Sequence, residues 1–191
     1  IVVDTLRADH MSLQGYERET DPNMKRIASE GVIFENAYAT SSWTMTAHAS
    51  LFTGRWPYEH KADGGRYLDE TYPTIAEALT QRGYRAGAFN GNFETVTSHW
   101  GFGRGFLHFE DYYQTLPQLA VSSVYGRFIE YYVLHKVFNM EFSIDRRWGP
   151  SVNRSALDWI EQDDSKPFFA FVNYYDAHAP YISPERAKFS N

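Results

Sequence analysis

Three apolar runs of strand length, over 1–3, 84–89 and 167–174, are separated along this chain by segments with helical spacing. That alternation constrains the fold more than any other feature. Strands joined through helices run parallel, and the helices then cover both faces of the sheet. The pattern predicts an α/β domain, a three-layer sandwich with a mainly parallel central sheet. The helical segments carry their own punctuation. Asp21-Pro22 opens one, with Met24, Ile27 and Ala28 at core spacing and Gly31 as its stop. A second runs from about 46 to 52 and ends at Thr53-Gly54, where glycine supplies a left-handed cap. A third begins at Pro73 and ends at Gly83, and a fourth over 150–162 spaces Val152, Ala156, Trp159 and Ile160 along one face. Residues 32–34 and 37–39 read as a further extended segment, 101–105 as an irregular glycine-rich stretch and 117–140 as a helical insertion.

At 191 residues and 43% hydrophobic, the chain can bury one sizeable core. It starts with Ile inside an apolar run and stops at Phe189-Ser190-Asn191, so it reads as part of a longer protein, and any leader or anchor upstream is not visible in it. A formal charge of −6, with no Lys/Arg cluster along one face, argues against a nucleic-acid partner. Without cysteine, thiol chemistry is excluded and the redox compartment is left open. The stretch 121–140 is broken by Arg127, Glu130, His135 and Lys136, short of the uninterrupted span a bilayer requires.

The parallel arrangement carries a geometric consequence. Asp4, the pair Asn90 and Asn92, and the pair Asp176 and His178 each follow one of the apolar runs. In a parallel sheet all of them emerge at the carboxyl edge, where open α/β sheets place their chemistry. Asp4 is either a turn-capping carboxylate or a metal ligand, since hard cations prefer carboxylate oxygen.

At these residues the chain resembles the sulfatase branch of the alkaline-phosphatase-like superfamily. Val2-Val3-Asp4-Thr5-Leu6-Arg7-Ala8-Asp9-His10 with Gly15-Tyr16, the segment 42–55, and the segment 167–181 carry the likeness, in order and spacing; Gly83-Tyr84-Arg85 and Gly101-Phe102-Gly103-Arg104-Gly105-Phe106 add to it. The resemblance implies that residues 1–191 are the N-terminal portion of a catalytic domain of that fold, incomplete at the C-terminus, with a helical insertion near 112–145. It also implies a divalent metal ion (calcium, magnesium, manganese or zinc), with Asp4 as a ligand and the remaining ligands beyond Asn191. The fragment alone is then expected to be inactive.

In the family the nucleophile opens a Cys-x-Pro-Ser-Arg segment that runs into Thr-Gly-Arg. Counting back from Thr53-Gly54-Arg55 places Thr44 at the nucleophile, Thr46 at the proline, Ala47 at the serine and His48 at the arginine. Sulfatases convert a Cys or Ser there to formylglycine, a modification threonine is not expected to undergo, whereas phosphate-handling relatives use an unmodified Thr or Ser. Thr44 therefore tilts the reading towards phosphoryl chemistry, and it is also a metal ligand by this resemblance. A threonine hydroxyl needs a base or a metal to become a useful nucleophile. Its place before a helix favours an anion, and the same place suits a helix N-cap; the two roles are compatible. His48, one turn on, falls on the same face as a secondary substrate contact or a packed histidine.

Asp176-Ala177-His178-Ala179-Pro180-Tyr181 resembles the family's His-x-Pro-Tyr segment, which makes His178 a substrate contact or proton donor. Where sulfatases continue the strand after Gly-Tyr into Gly-Lys-Trp-His, this chain has Asn90-Gly91-Asn92-Phe93, so the sulfate-pairing cations are missing. Asn90 and Asn92 remain as hydrogen-bonding substrate contacts or turn residues, and Arg55 as an organiser of the nucleophile loop. Thr5 stands where many sulfatases have a second metal-binding Asp, and Arg7 and Asp9 read as a local ion pair. The expected activity is hydrolysis or transfer of a sulfate or phosphate ester on a small-molecule, lipid or carbohydrate substrate, with phosphoryl favoured over sulfuryl chemistry. The alternatives are a sulfatase and a non-catalytic binding protein of the same fold. The likeness also points to an extracytoplasmic or membrane-associated protein, with any membrane attachment made only through regions outside this sequence.

Overall fold

A computed structural model describes residues 1–112, 116, 119, 123–129, 132, 146–163, 165–179 and 181. Its centre is a four-stranded sheet of order β1-β4-β2-β3, built from β1 (Val2–Val3), β2 (Arg85–Asn90), β3 (His108–Glu110) and β4 (Phe168–Tyr174). Every pairing is parallel, with Val2 opposite Asn173 and Arg85 to Asn90 opposite Phe168 to Asn173. Helices α1 (Pro22–Ser29), α2 (Thr44–Thr53), α3 (Pro57–His60), α4 (Ile75–Thr80), α5 (Val124–Ile129) and α6 (Gly149–Glu161) surround the sheet.

Strand alternation divides the core into two. On one face Ala88 and Phe171 meet Met45, Ala49 and Phe52 of α2, together with Leu68, Val96 and Phe102. On the other, Phe89 and Val172 meet Val152, Ala156 and Trp159 of α6. Adjacent strand residues thus serve opposite layers, as the period of two requires. The α6 face is tight: a Cβ on Gly87 would lie 2.9 Å from the Trp159 ring, so glycine sets how closely α6 approaches β2. Phe52 is 2% exposed and meets Phe171 edge-on at 4.8 Å and Phe102 at 5.6 Å. Each such buried aromatic contributes on the order of 1.5–3 kcal/mol by burial.

Local chemistry explains where the elements depart from the sequence pattern. The third helix begins after Thr74, not at Pro73, because Thr74 and Glu77 form a reciprocal capping box: Glu77 N donates to Thr74 Oγ1 at 3.1 Å and Thr74 N to Glu77 Oε2 at 2.7 Å. Asp21 stands at the N-cap of α1, yet its carboxylate turns away to accept from Ser12 Oγ and from Leu13 N at 3.2 Å. The extended segment expected over 32–39 pairs with no strand among the described residues, and Val32 and Phe34 are 79% and 77% exposed. The insertion expected over 112–145 falls largely outside the described residues, with α5 inside it. No helix among the described residues is long and apolar enough to cross a membrane.

Candidate active site

The carboxyl ends of β1, β2 and β4 deliver their polar residues to one edge, as the sequence pattern predicts. Asp4 leaves β1 with its amide donating to Tyr174 O of β4 at 2.8 Å. Thr5 then adopts a left-handed backbone, φ 54°, uncommon for a β-branched residue, and its Oγ1 donates to Ala177 O at 3.0 Å. The sharp turn leaves the Asp4 side chain buried, 7% exposed, beneath the start of α2. That helix begins at Thr44, two residues earlier than its apolar pattern indicates, and the preceding Trp43 makes no side-chain cap. The Thr44 hydroxyl is therefore at the first helical position, not at the cap, and it lies 3.5 Å from each carboxylate oxygen of Asp4.

Asn92 completes this group. Its Oδ1 accepts from Glu94 N at 2.9 Å and Thr95 N at 3.0 Å, which fixes the amide orientation and turns Nδ2 to Thr95 Oγ1 at 2.9 Å and Asp4 Oδ2 at 3.3 Å. Among the described residues no Lys or Arg pairs with Asp4. Buried charges are ordinarily paired or bound to metal, so this carboxylate fits a cation ligand. Its separation from Thr44 fits too: oxygens 3.5 Å apart can be neighbouring ligands of one ion, which calcium, for example, binds at about 2.3–2.6 Å. Among the described residues no cluster of three or more His, Cys, Asp or Glu stands together as a metal site.

His178 lies on the turn that follows β4. Its amide donates to Tyr175 O at 3.2 Å, its ring stacks on Tyr175 at 4.2 Å, and its Nδ1 donates to Ala179 O at 2.6 Å. That tautomer leaves Nε2 as the ring's proton acceptor. The turn is held by Arg146, 2% exposed, whose Nη2 donates to His178 O at 3.1 Å and Ala179 O at 3.0 Å. Arg146 also pairs through its backbone with Asn92, so one residue ties the β2 and β4 loops together. Asp176 has a structural use: its Oδ1 accepts from Gly149 N at 3.1 Å, at the N-terminus of α6, where a carboxylate is favoured.

Other expected contacts lie elsewhere. Asn90 is fully buried and donates to Val96 O at 3.0 Å, an internal hydrogen bond of the turn after β2. Arg55 follows the far end of α2, about 15 Å from Thr44 at the helical rise, and sits over the Tyr72 ring at 4.9 Å. His48 is 6% exposed, with Phe171 and Phe102 edge-on at 5.9 and 6.5 Å. Its Nδ1 donates to Thr44 O at 2.8 Å, and its Nε2 accepts from Asn173 Nδ2 at 3.1 Å. Burial holds its pKa below the usual histidine value, against the opposing pull of the Thr44 carbonyl and Asp4. Both ring nitrogens are thus used internally, which matches the packed-histidine alternative of the sequence reading. Arg7 and Asp9 form the expected exposed ion pair. Arg146 and Asn173 were not singled out by sequence. The available signal was a lone asparagine within the otherwise apolar run of β4; nothing comparable marks Arg146.

A protein-family profile described as Sulfatase matches residues 1–190. An arylsulfatase of Clostridium perfringens is 26% identical over 216 residues, covering 97% of this chain and 44% of that protein. The phosphatidylethanolamine transferase Mcr-1 of Escherichia coli is 36% identical over 78 residues, 39% of this chain and 14% of that one. The crystal structure of a phosphonate monoester hydrolase of Agrobacterium radiobacter superposes with a TM-score of 0.70 at 21% identity, over 96% of this chain and 41% of that one, a likeness of fold. The chain thus spans less than half the length of these relatives.

Proposed function

The chain belongs to the sulfatase family, of alkaline-phosphatase-like fold, and on that premise we propose that it supplies the nucleophile half of a metal-dependent ester-cleaving site. The observation that carries this reading is the Thr44 hydroxyl, 3.5 Å from both oxygens of a buried carboxylate that has no cationic partner among the described residues. Residues 1–191 then form the N-terminal portion of the catalytic domain. Asp4 and Thr44 would hold a divalent cation, which when bound lowers the pKa of the hydroxyl and offsets the ester's negative charge.

In the proposed reaction Thr44 Oγ1 loses its proton to solvent and bonds to phosphorus, while the bond from phosphorus to the ester oxygen breaks. A protonated His178 gives the departing oxygen its proton from Nε2. Water, or an acceptor hydroxyl, then takes the phosphoryl group from Thr44 and restores its hydroxyl. The first turn of α2 supports the reading, since amides at a helix start favour the incoming anion. Asn92 orients Asp4 from below instead of meeting the substrate.

Phosphoryl transfer is favoured over sulfuryl transfer for two reasons: threonine is not an expected formylglycine precursor, and the segment Asn90-Gly91-Asn92-Phe93 offers no cation for sulfate. The local identity to a phosphatidylethanolamine transferase points the same way, and the arylsulfatase relative supports the sulfuryl alternative. The substrate class is a phosphate ester of a small molecule, lipid or carbohydrate. Incubating the intact protein with an aryl phosphate ester and manganese, quenching in acid and mapping the label by mass spectrometry tests the reading. A phosphate on Thr44 is the expected result; an aldehyde-bearing residue, or label elsewhere, overturns it.

A further inference from the structure

Two consecutive residues of β4 hold the two groups that face each other at the site. Tyr174 offers its carbonyl to the Asp4 amide at 2.8 Å. Asn173 donates from Nδ2 to His48 Nε2 at 3.1 Å, and His48 in turn donates from Nδ1 to Thr44 O at 2.8 Å. We propose that Asn173 and His48 form a positioning relay that sets the Thr44 hydroxyl against the Asp4 carboxylate, with neither residue touching substrate. The proposal rests on Thr44 being the nucleophile.

With the Asn173 amide oriented as it stands, the donor and acceptor chemistry gives one arrangement. A carbonyl only accepts, so His48 Nδ1 carries the proton; Nε2 is then an acceptor and needs a donor, which the Asn173 amide provides. Phe102 and Phe171 pack edge-on against the imidazole and hold its plane. The carbonyl it grips belongs to the first residue of α2, where helices fray and where no side chain caps this one. Helix periodicity alone would leave that turn free to rock, and the hydroxyl with it.

Asn173 is also costly in a way that stability does not explain. It is fully buried in the sheet, and its Oδ1 has no hydrogen-bond partner. An unsatisfied buried carbonyl is a net cost to folding. An apolar residue would avoid that cost but could not fix the His48 tautomer. The relay therefore predicts that Asn173 contributes to rate more than to stability.

The test uses the intact protein with manganese and bis(4-nitrophenyl) phosphate, comparing His48→Phe, His48→Asn, Asn173→Leu and the double variant His48→Phe/Asn173→Leu. His48→Phe and Asn173→Leu should each lower kcat about 10- to 100-fold with KM within about twofold, since misplacing a reacting group acts on the transition state. The double variant should be no slower than His48→Phe alone. His48→Asn, which keeps an Nδ2 donor towards Thr44 O, should recover part of the rate. A raised KM with kcat intact would make His48 a substrate contact, and an unchanged kcat or additive losses would break the relay. Should His48→Phe fail to fold, Asn173→Leu and His48→Asn decide. Nitrogen NMR of labelled histidine gives a readout that needs no turnover: His48 should be protonated at Nδ1, with a signal that moves in Asn173→Leu. Protonation at Nε2, or no response in Asn173→Leu, refutes the relay. Activity retained by Thr44→Ala would instead refute the nucleophile assignment, leaving the NMR result to decide the relay on its own.

Discussion

Arg147 is where the packing behind the site is most open to attack. It is 5% exposed, and its guanidinium binds Glu110, itself 6% exposed, at the end of β3. The same side chain donates to Ser151 Oγ at 3.0 Å and Ser151 O at 2.8 Å in α6, and to Ser155 Oγ. Its amide donates to Gly91 O at 2.9 Å, in the loop that carries Asn92. Burial alone would raise the Glu110 pKa, but Arg147 and His108 outweigh it and hold the carboxyl below its usual range. Replacing Arg147 with Met leaves that carboxylate buried without its guanidinium, a change worth about 3–5 kcal/mol. Replacing both partners, Arg147→Met with Glu110→Leu, removes the stranded charge and should recover most of the loss. Urea unfolding followed by tryptophan fluorescence measures both. The pH dependence supplies a second check. In the parent protein the depressed Glu110 contributes stability above its unfolded pKa of about 4.5, lost as pH falls through the folded value. In Arg147→Met only His108 is left to oppose burial and the folded pKa rises, so protonation relieves the strain. The deficit should be largest near neutral pH and shrink on acidification. A double variant as unstable as Arg147→Met, or a deficit that grows in acid, would refute the reasoning.

Gly101→Ala places a Cβ 2.2 Å from Leu68 O at φ +89°, so it should cost more than the roughly 1–3 kcal/mol of backbone strain alone, whereas Gly15→Ala at φ +96° meets nothing within 4 Å and should cost only that strain; equal urea midpoints would contradict this. His60 is 3% exposed, accepts from Ala62 N at 3.0 Å and lies 3.0 Å from Ser50 Oγ, and burial lowers its pKa. The unfolded chain then takes up a proton first, so stability should fall as pH drops below about 6.5 towards the depressed folded value, with a shallower slope in His60→Leu. Added manganese or calcium should raise the melting temperature of the intact protein by mass action, about 2.7 kcal/mol at a hundred times Kd, and Asp4→Asn should abolish that shift; a retained shift would remove Asp4 from the metal site.

What the sequence made legible follows from how each feature is encoded. β2 and β4 send buried residues to both layers and β1 is half-buried; all three read as apolar runs, and their parallel order follows from the helices between them. β3 was missed because His108-Phe109-Glu110 has one apolar residue between two polar ones, and its pairing with β2 is decided by tertiary contact. The segment 32–39 was misread because apolar content records a need for burial, not a strand partner. At the site, Asp4 and Asn92 came together because strand ends share an edge, an inference that needs only topology. Arg55 did not join them, since motif adjacency to Gly54 says nothing of the helix length that separates it from Thr44. His48 shows the limit of periodicity, which places a residue on a face without saying whether that face lines a cleft or fills a core.

β4 is the element in which these strands of argument meet. Alternation sends Phe171 and Asn173 to the α2 layer and Val172 to the α6 layer, while the backbone of the same strand pairs with β1 on one side and β2 on the other. A side chain from Asn173 and a carbonyl from Tyr174 therefore reach two different elements from neighbouring positions. The contact between Thr44 and Asp4 spans 40 residues of sequence, beyond the reach of any local interaction. Indexing both groups to one central strand makes their separation a property of the sheet. A hydroxyl on a helix start and a carboxylate on a strand end can be kept in register in this way, whatever the length of chain between them.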